Sequence, residues 1–161
     1  LTVTLIAPSK TFNIAGLDCS ILICENQKLM KQIKDAKRGI LGGVNILGVT
    51  AAVAAYRYGQ PWLDAVLKTL AENRNYLCST IQETLPMIKV HPPQATYLAW
   101  LDCRGAGLPC DPYEFFLKNA RVALNCGSLF GKEGEGFVRL NFGCARSVLQ
   151  EALRRMTQSM K

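Results

Sequence analysis

Apolar positions change their period several times along the chain. Leu1–Ile6 (LTVTLI) mixes branched and leucine side chains with threonine, a strand pattern, and the polar run APSKTFN after it reads as a loop. Gly16 permits a turn, and Ser20–Cys24 (SILIC) reads as a second short strand. Asn26 is placed to cap a helix running to Arg38, with Leu29, Ile33 and Ala36 at helical spacing and Gly39 as its stop. GILGGVNILG then reads as a glycine-rich loop, and Val49–Tyr58 as an alanine-rich helix ended by Gly59. From Pro61, the residues Leu63, Val66, Leu67, Leu70, Leu77 and Ile81 recur at three- and four-residue steps and predict one helix reaching Thr84. About 24 residues at 1.5 Å each give roughly 36 Å, enough to bridge two layers or two domains.

After Pro86 the pattern shortens. Met87–Val90 and Tyr97–Cys103 read as strands separated by HPPQAT, followed by a helix from Pro112 to about Ala120 and a short strand over Arg121–Leu124. Asn125–Gly136 (NCGSLFGKEGEG) reads as a loop with four glycines. Phe137–Phe142 alternates, with Phe137, Arg139 and Asn141 on one face and Val138, Leu140 and Phe142 on the other. Ser147 is placed to cap a last helix to about Gln158, with Leu149, Ala152, Leu153 and Met156 inward. The second half is thus an α+β module, with no internal repeat.

Composition narrows the class. The 161 residues are 49% hydrophobic and 19% charged, with a net charge of +7, which allows a sizeable core and excludes disorder as the main state. No apolar run approaches the roughly 18 residues of a membrane span. The chain begins on a strand pattern without an initiator Met or signal-peptide features, and reads as the C-terminal part of something longer. The seven cysteines contain no CxxC, and the one histidine, His91, precedes two prolines. No metal site is expected from such spacing. The cysteines read as small buried hydrophobes in a reducing cytosol, and His91 as a solvated loop residue.

Two segments could carry chemistry. In Pro8-Ser9-Lys10-Thr11-Phe12-Asn13, a lysine directly follows a strand, where the end of a sheet would present its amine to a carbonyl. The alternative is one of ten lysines, exposed on a loop. In Phe137-Val138-Arg139-Leu140-Asn141-Phe142-Gly143, a guanidinium sits in an apolar strand. Its planar fork matches a carboxylate with two parallel hydrogen bonds; the alternative is a structural ion pair or an edge-strand arginine. The glycine-rich loops match neither the dinucleotide nor the P-loop fingerprint, and the basic run KLMKQIKDAKR reads as a solvated helix face.

Taken together, PSKTFNIAGL and FVRLNFG resemble the pyridoxal-phosphate-dependent aminotransferase class I/II superfamily, and within it the cystathionine β-lyase (C–S lyase) branch. Gly59-Gln60-Pro61-Trp62-Leu63 with Asn73 downstream, the strand ATYLAWLD, and Arg121-Val122-Ala123-Leu124 leading to Gly127 and Phe130-Gly131 extend the likeness over nearly the whole chain. The resemblance implies fold type I, with α/β and α+β parts. Residues 1–60 would be the C-terminal portion of the large cofactor-binding domain, and residues 61–161 the linking helix and small α+β domain.

By the same resemblance, Lys10 is the Schiff-base lysine for pyridoxal 5'-phosphate, Ser9 approaches the cofactor phosphate, and Arg139 binds the substrate α-carboxylate. Ala7 departs from the pattern, since many relatives have serine three residues before the lysine. The loop around Gly42, Gly43 and Asn45 resembles one that reaches toward the partner subunit's site. The remaining cofactor contacts of the family lie upstream of the lysine. The chain alone is therefore expected to be inactive, as part of a cytoplasmic homodimeric lyase that takes a sulfur-containing amino acid to pyruvate, ammonia and a thiol, with no nucleic-acid or membrane partner. An aminotransferase would use the same Lys10 and Arg139; a non-catalytic α+β interaction module would use neither.

Overall fold

The computed structural model describes residues 1–37, 39 and 42–161. Its first strand, β1 (Thr4–Ile6), pairs antiparallel with β2 (Ile21–Ile23), Leu5 lying opposite Leu22. Between them, the run expected to be a loop forms one helical turn, α1 (Pro8–Thr11). Pro8 at the first position fixes φ in the helical range and needs no N–H there. Phe12 N–H closes the turn on Pro8 O at 2.9 Å, and Asn13 then takes a left-handed conformation, φ 56°. A 3₁₀ turn follows at Ala15–Leu17, where Gly16 lies.

Helix α2 (Gln27–Ala36) is capped by Asn26, whose side chain accepts from Leu29 N–H at 2.8 Å. The helix stops short of the expected end, with Lys37 in the C-cap position; Arg38 lies outside the described residues, as do Ile40 and Leu41 of the glycine-rich run. Helix α3 (Ile46–Tyr58) starts three residues earlier than its alanine-rich stretch suggested. The cause is Asn45: its side-chain oxygen accepts from Gly48 N–H at 2.7 Å, which draws Ile46–Gly48 into the first turn. Helix α4 (Gln60–Thr84) is the long helix that the leucine spacing predicts, 25 residues in length.

The chain divides into two units, Leu1–Val66 and Leu67–Lys161, with the division inside α4. In the first, Pro8, Cys19, Gly48 and Ala52 are buried, while Leu5, Ile21, Ile23, Ile46 and Leu47 stand exposed.

The second unit holds a four-stranded antiparallel sheet in the order β3-β4-β6-β5. Its strands are β3 (Lys89–Val90), β4 (Leu98–Asp102), β5 (Asn125–Cys126) and β6 (Phe137–Asn141). Between β4 and β5 come α5 (Pro112–Phe115) and a wider turn over Phe116–Ala120. The strand expected over Arg121–Leu124 does not form. Arg121 instead ends the helix in a left-handed conformation, φ 54°, and Val122 N–H reaches back to Phe116 O at 3.1 Å. Residues committed to a helix terminus cannot join a ladder, so pairing begins at Asn125. The C-terminal helix α6 (Arg146–Ser159) begins one residue before the expected cap Ser147, with Ala145 in the cap position.

Alternation in β4 and β6 decides the core. Ala99, Leu101, Val138 and Leu140 point inward and meet Leu77 and Ile81 of α4, Phe116, and Leu149, Leu153 and Met156 of α6. The opposite sheet face carries Trp100, Phe137 and Arg139. Among the described residues, Asn73 of α4 is the exception to an apolar set of buried side chains. It is 1% exposed, donates from Nδ2 to Phe142 O (3.1 Å) and Cys144 O (2.9 Å), and accepts from Arg146 at 3.2 Å. A buried amide is tolerable because each of its polar atoms finds a partner, and here those partners tie α4 to the segment joining β6 and α6.

Candidate functional site

Ser9 and Lys10 share the single turn α1, directly after β1 in the first unit. Lys10 is exposed and Ser9 half-buried. Among the described residues, no hydrogen bond or ion pair engages the Lys10 ammonium or the Ser9 hydroxyl. Ala7 occupies the N-cap position with extended backbone and supplies no side-chain cap.

The turn is held from below by Phe12. Its ring meets Tyr56 edge-on at 5.6 Å and lies tilted to Trp62 at 6.3 Å. Both aromatics flank Gly59, where α3 passes into α4. A Cβ at Gly59 would stand 2.8 Å from the Phe12 ring and 2.5 Å from Ala55 O. Glycine therefore leaves the space in which Phe12 sits, two residues beyond the amine. On the other side, Asn45 donates from Nδ2 to Leu17 O at 3.3 Å, pinning the 3₁₀ turn to the start of α3. Spacing did not reveal these anchors, because each joins segments far apart in sequence.

Arg139 belongs to the second unit, half-buried on β6. Its cross-strand neighbours are Trp100 on β4 and Asn125 on β5. Directly opposed residues of an antiparallel pair share a face, so the three side chains converge. The Asn125 side-chain oxygen accepts from Arg139 Nε (3.4 Å) and Nη2 (3.1 Å), and the guanidinium lies over the Phe130 ring, 4.5 Å from its centre. Phe130 meets Trp100 edge-on at 5.5 Å, Trp100 stacks on Phe137 at 5.6 Å, and Arg104 lies over Phe137 at 4.6 Å. Among the described residues, no carboxylate pairs with Arg139. Arg104, by contrast, binds Asp102 at 2.8 Å, and this contact holds the Asp102 carboxyl below the usual carboxylate range.

The glycines of the loop between β5 and β6 bring Asn125 and Phe130 to Arg139. Gly127 and Gly134 are buried against each other's backbone, and a Cβ on Gly127 would meet Gly134 O and lie 2.5 Å from Phe137 O. The sequence reads this stretch as a loop with four glycines, and does not tell which of them meet.

Other candidates contribute less. All seven cysteines are free; Cys19 and Cys103 are buried as expected, whereas Cys110 is exposed and the other four are half-buried. His91 is exposed. Among the described residues, no group of three or more His, Cys, Asp or Glu side chains could hold a metal ion, and no helix is long and apolar enough to cross a membrane.

The family model for aminotransferase class I and II matches residues 2–156. The chain is 42% identical to cystathionine β-lyase PatB of Bacillus subtilis, covering 99% of this chain and 42% of PatB. It superposes on the PLP-bound C–S lyase from Staphylococcus hominis with a TM-score of 0.90 and 34% identity, over 98% of this chain and 42% of that one. An aromatic aminotransferase from Pyrococcus horikoshii matches at TM-score 0.82 and 26% identity, over 97% of this chain and 42% of its own. The chain thus spans less than half the length of the proteins it matches, and within that span the turn bearing Lys10 and the strand bearing Arg139 lie on a shared fold: it belongs to the aminotransferase class I and II family.

Proposed function

We propose that this chain is the lysine-bearing and carboxylate-binding part of a pyridoxal-phosphate-dependent carbon–sulfur β-lyase. The observation that carries the reading is the 42% identity to a cystathionine β-lyase along 99% of the chain. Residues 1–60 are read as the end of the cofactor-binding domain, and residues 61–161 as the linking helix and small domain. The full enzyme is read as a cytoplasmic homodimer acting on a sulfur-containing amino acid, and these 161 residues alone as inactive.

The residues present fit the cofactor. Lys10 offers an exposed amine that no side chain of the described residues claims, and Ser9 an adjacent hydroxyl suited to a phosphate oxygen. Pyridoxal phosphate, when bound, supplies an aldehyde for amines and a ring that draws electrons from the substrate Cα. Lys10 Nζ would hold the cofactor through its aldehyde, and as a free amine it would take the substrate Cα proton. Arg139 grips the substrate carboxylate through two parallel N–H···O bonds and so orients the Cα–H bond. The sulfur substituent would leave Cβ as a thiolate that takes up a proton, and one water would release pyruvate and ammonia.

The test is a chimera in which this chain replaces the matching 42% of PatB. With the cofactor and L-cystathionine it should release pyruvate without added keto acid, and borohydride should fix the cofactor on the Lys10 peptide. Lys10→Ala should lose both. Turnover only when a keto acid is supplied would favour the aminotransferase reading, for which the 26% identity to the Pyrococcus enzyme is the supporting observation. Absence of any adduct at Lys10 would favour a non-catalytic module.

A further inference from the structure

Arg104, Arg154 and Arg155 each pair with a carboxylate. Arg139 is held differently. Nε and Nη2, which form one side of the guanidinium fork, both donate to the amide oxygen of Asn125. One flat face rests on Phe130. Among the described residues, Nη1 makes no hydrogen bond or ion pair. The end of the fork formed by Nη1 and the second N–H of Nη2 thus remains open, and the residue that orients it carries no net charge.

We infer that Asn125 and Phe130 are positioning residues for Arg139, and that the neutrality of Asn125 keeps the arginine's charge available to a ligand carboxylate. This rests on the reading of Arg139 as the substrate-carboxylate anchor. An aspartate at position 125 would accept the same two N–H groups more strongly, but it would supply the negative charge that the ligand must bring. An aliphatic residue there would release the side of the fork and let the plane rotate. Phe130 fixes that plane by attraction between the cation and the ring. It is itself braced by Trp100, which stacks on Phe137. Holding the fork in advance lowers the ordering cost when a carboxylate arrives.

Two measurements test this. In the full 161-residue chain, the Nε–H resonance of Arg139 in a nitrogen–proton NMR spectrum reports whether the guanidinium is held. Asn125→Asp and Phe130→Tyr should keep a distinct, slowly exchanging signal, whereas Asn125→Leu and Phe130→Leu should move it to the position of free arginine. In the PatB chimera, Asn125→Asp should raise KM for S-methyl-L-cysteine about tenfold or more, with kcat changed less than about twofold, and should leave KM for S-methyl-L-cysteinamide unaltered. An unchanged Arg139 signal in both leucine variants, or an unchanged KM in Asn125→Asp, overturns the inference. Arg139→Ala separates the two levels. If it raises KM for the carboxylate substrate while Asn125→Asp does not, only the positioning roles fall; if it has no effect, the anchor reading falls and takes them with it.

Discussion

Replacing Asn73 with leucine keeps the volume of the side chain while deleting all its polar contacts. Phe142 O and Cys144 O lose their amide donors, at 3.1 and 2.9 Å, and Arg146 loses one acceptor while keeping Glu72 O at 2.9 Å and the Tyr76 ring at 4.0 Å. Stranding a buried carbonyl costs about 1–3 kcal/mol. The bond to Phe142 O is buried and carries the larger share; Cys144 is only half-buried, so water recovers part of its loss. The added apolar burial offsets about 1 kcal/mol. The net expectation is a loss of about 2–3 kcal/mol, and more for Asn73→Asp, which turns a carboxylate oxygen toward two carbonyls. Urea unfolding followed by Trp100 fluorescence, in a Trp62→Phe background, measures it. A loss below about 0.5 kcal/mol in the leucine variant would refute the view that Asn73 ties α4 to the β6–α6 segment.

Three further outcomes follow from other contacts. Gly127→Ala places a Cβ against the backbone of Gly134 and Phe137; a clash with backbone cannot be relieved by a rotamer change, so urea unfolding should show a loss of about 1–3 kcal/mol or more. Hydrogen bonds from Arg154 and then Arg155 hold the Glu151 carboxyl down to about 2. The stability that this contributes is present above the ordinary carboxylate range and lost as pH falls toward about 2, so Glu151→Gln should flatten the acid limb of Tm against pH in that window. Burial, aided by the carboxylates of Asp102 and Asp111, pushes the Cys103 thiol up to about 12. The folded chain should therefore leave Cys103 unmodified by a thiol reagent at a pH of about 9, and lose stability as pH rises from the usual thiol range through about 12; ready labelling before unfolding would contradict its burial.

What could be read from the sequence follows from how local its cause is. The Asn26 cap, the leucine spacing of α4 and the alternation of Phe137–Phe142 are written in neighbouring residues, and each yields the expected element. Asn45 was legible in principle as a cap, but the alanine-rich stretch after it drew the helix start to Val49. The strand over Arg121–Leu124 fails because a left-handed residue at a helix end has no strong signature when it is arginine. Lys10 and Arg139 stood out by residue type against their surroundings. Phe12 on Gly59, Asn125 on Arg139 and Asn73 on Phe142 did not, because each depends on register or on a close approach that only the folded backbone creates.

The β1–β2 hairpin has a consequence for handling the chain. Among the described residues neither strand has a second neighbour, and Leu5 protrudes from one face while Ile21 and Ile23 protrude from the other. A lone pair of strands is barely self-sufficient in water, and its bare margins recruit other extended polypeptide. Clumping on concentration will therefore start at this ribbon, and a lysine gatekeeper in place of Leu5 should keep the material dispersed without disturbing the sheet that bears Arg139.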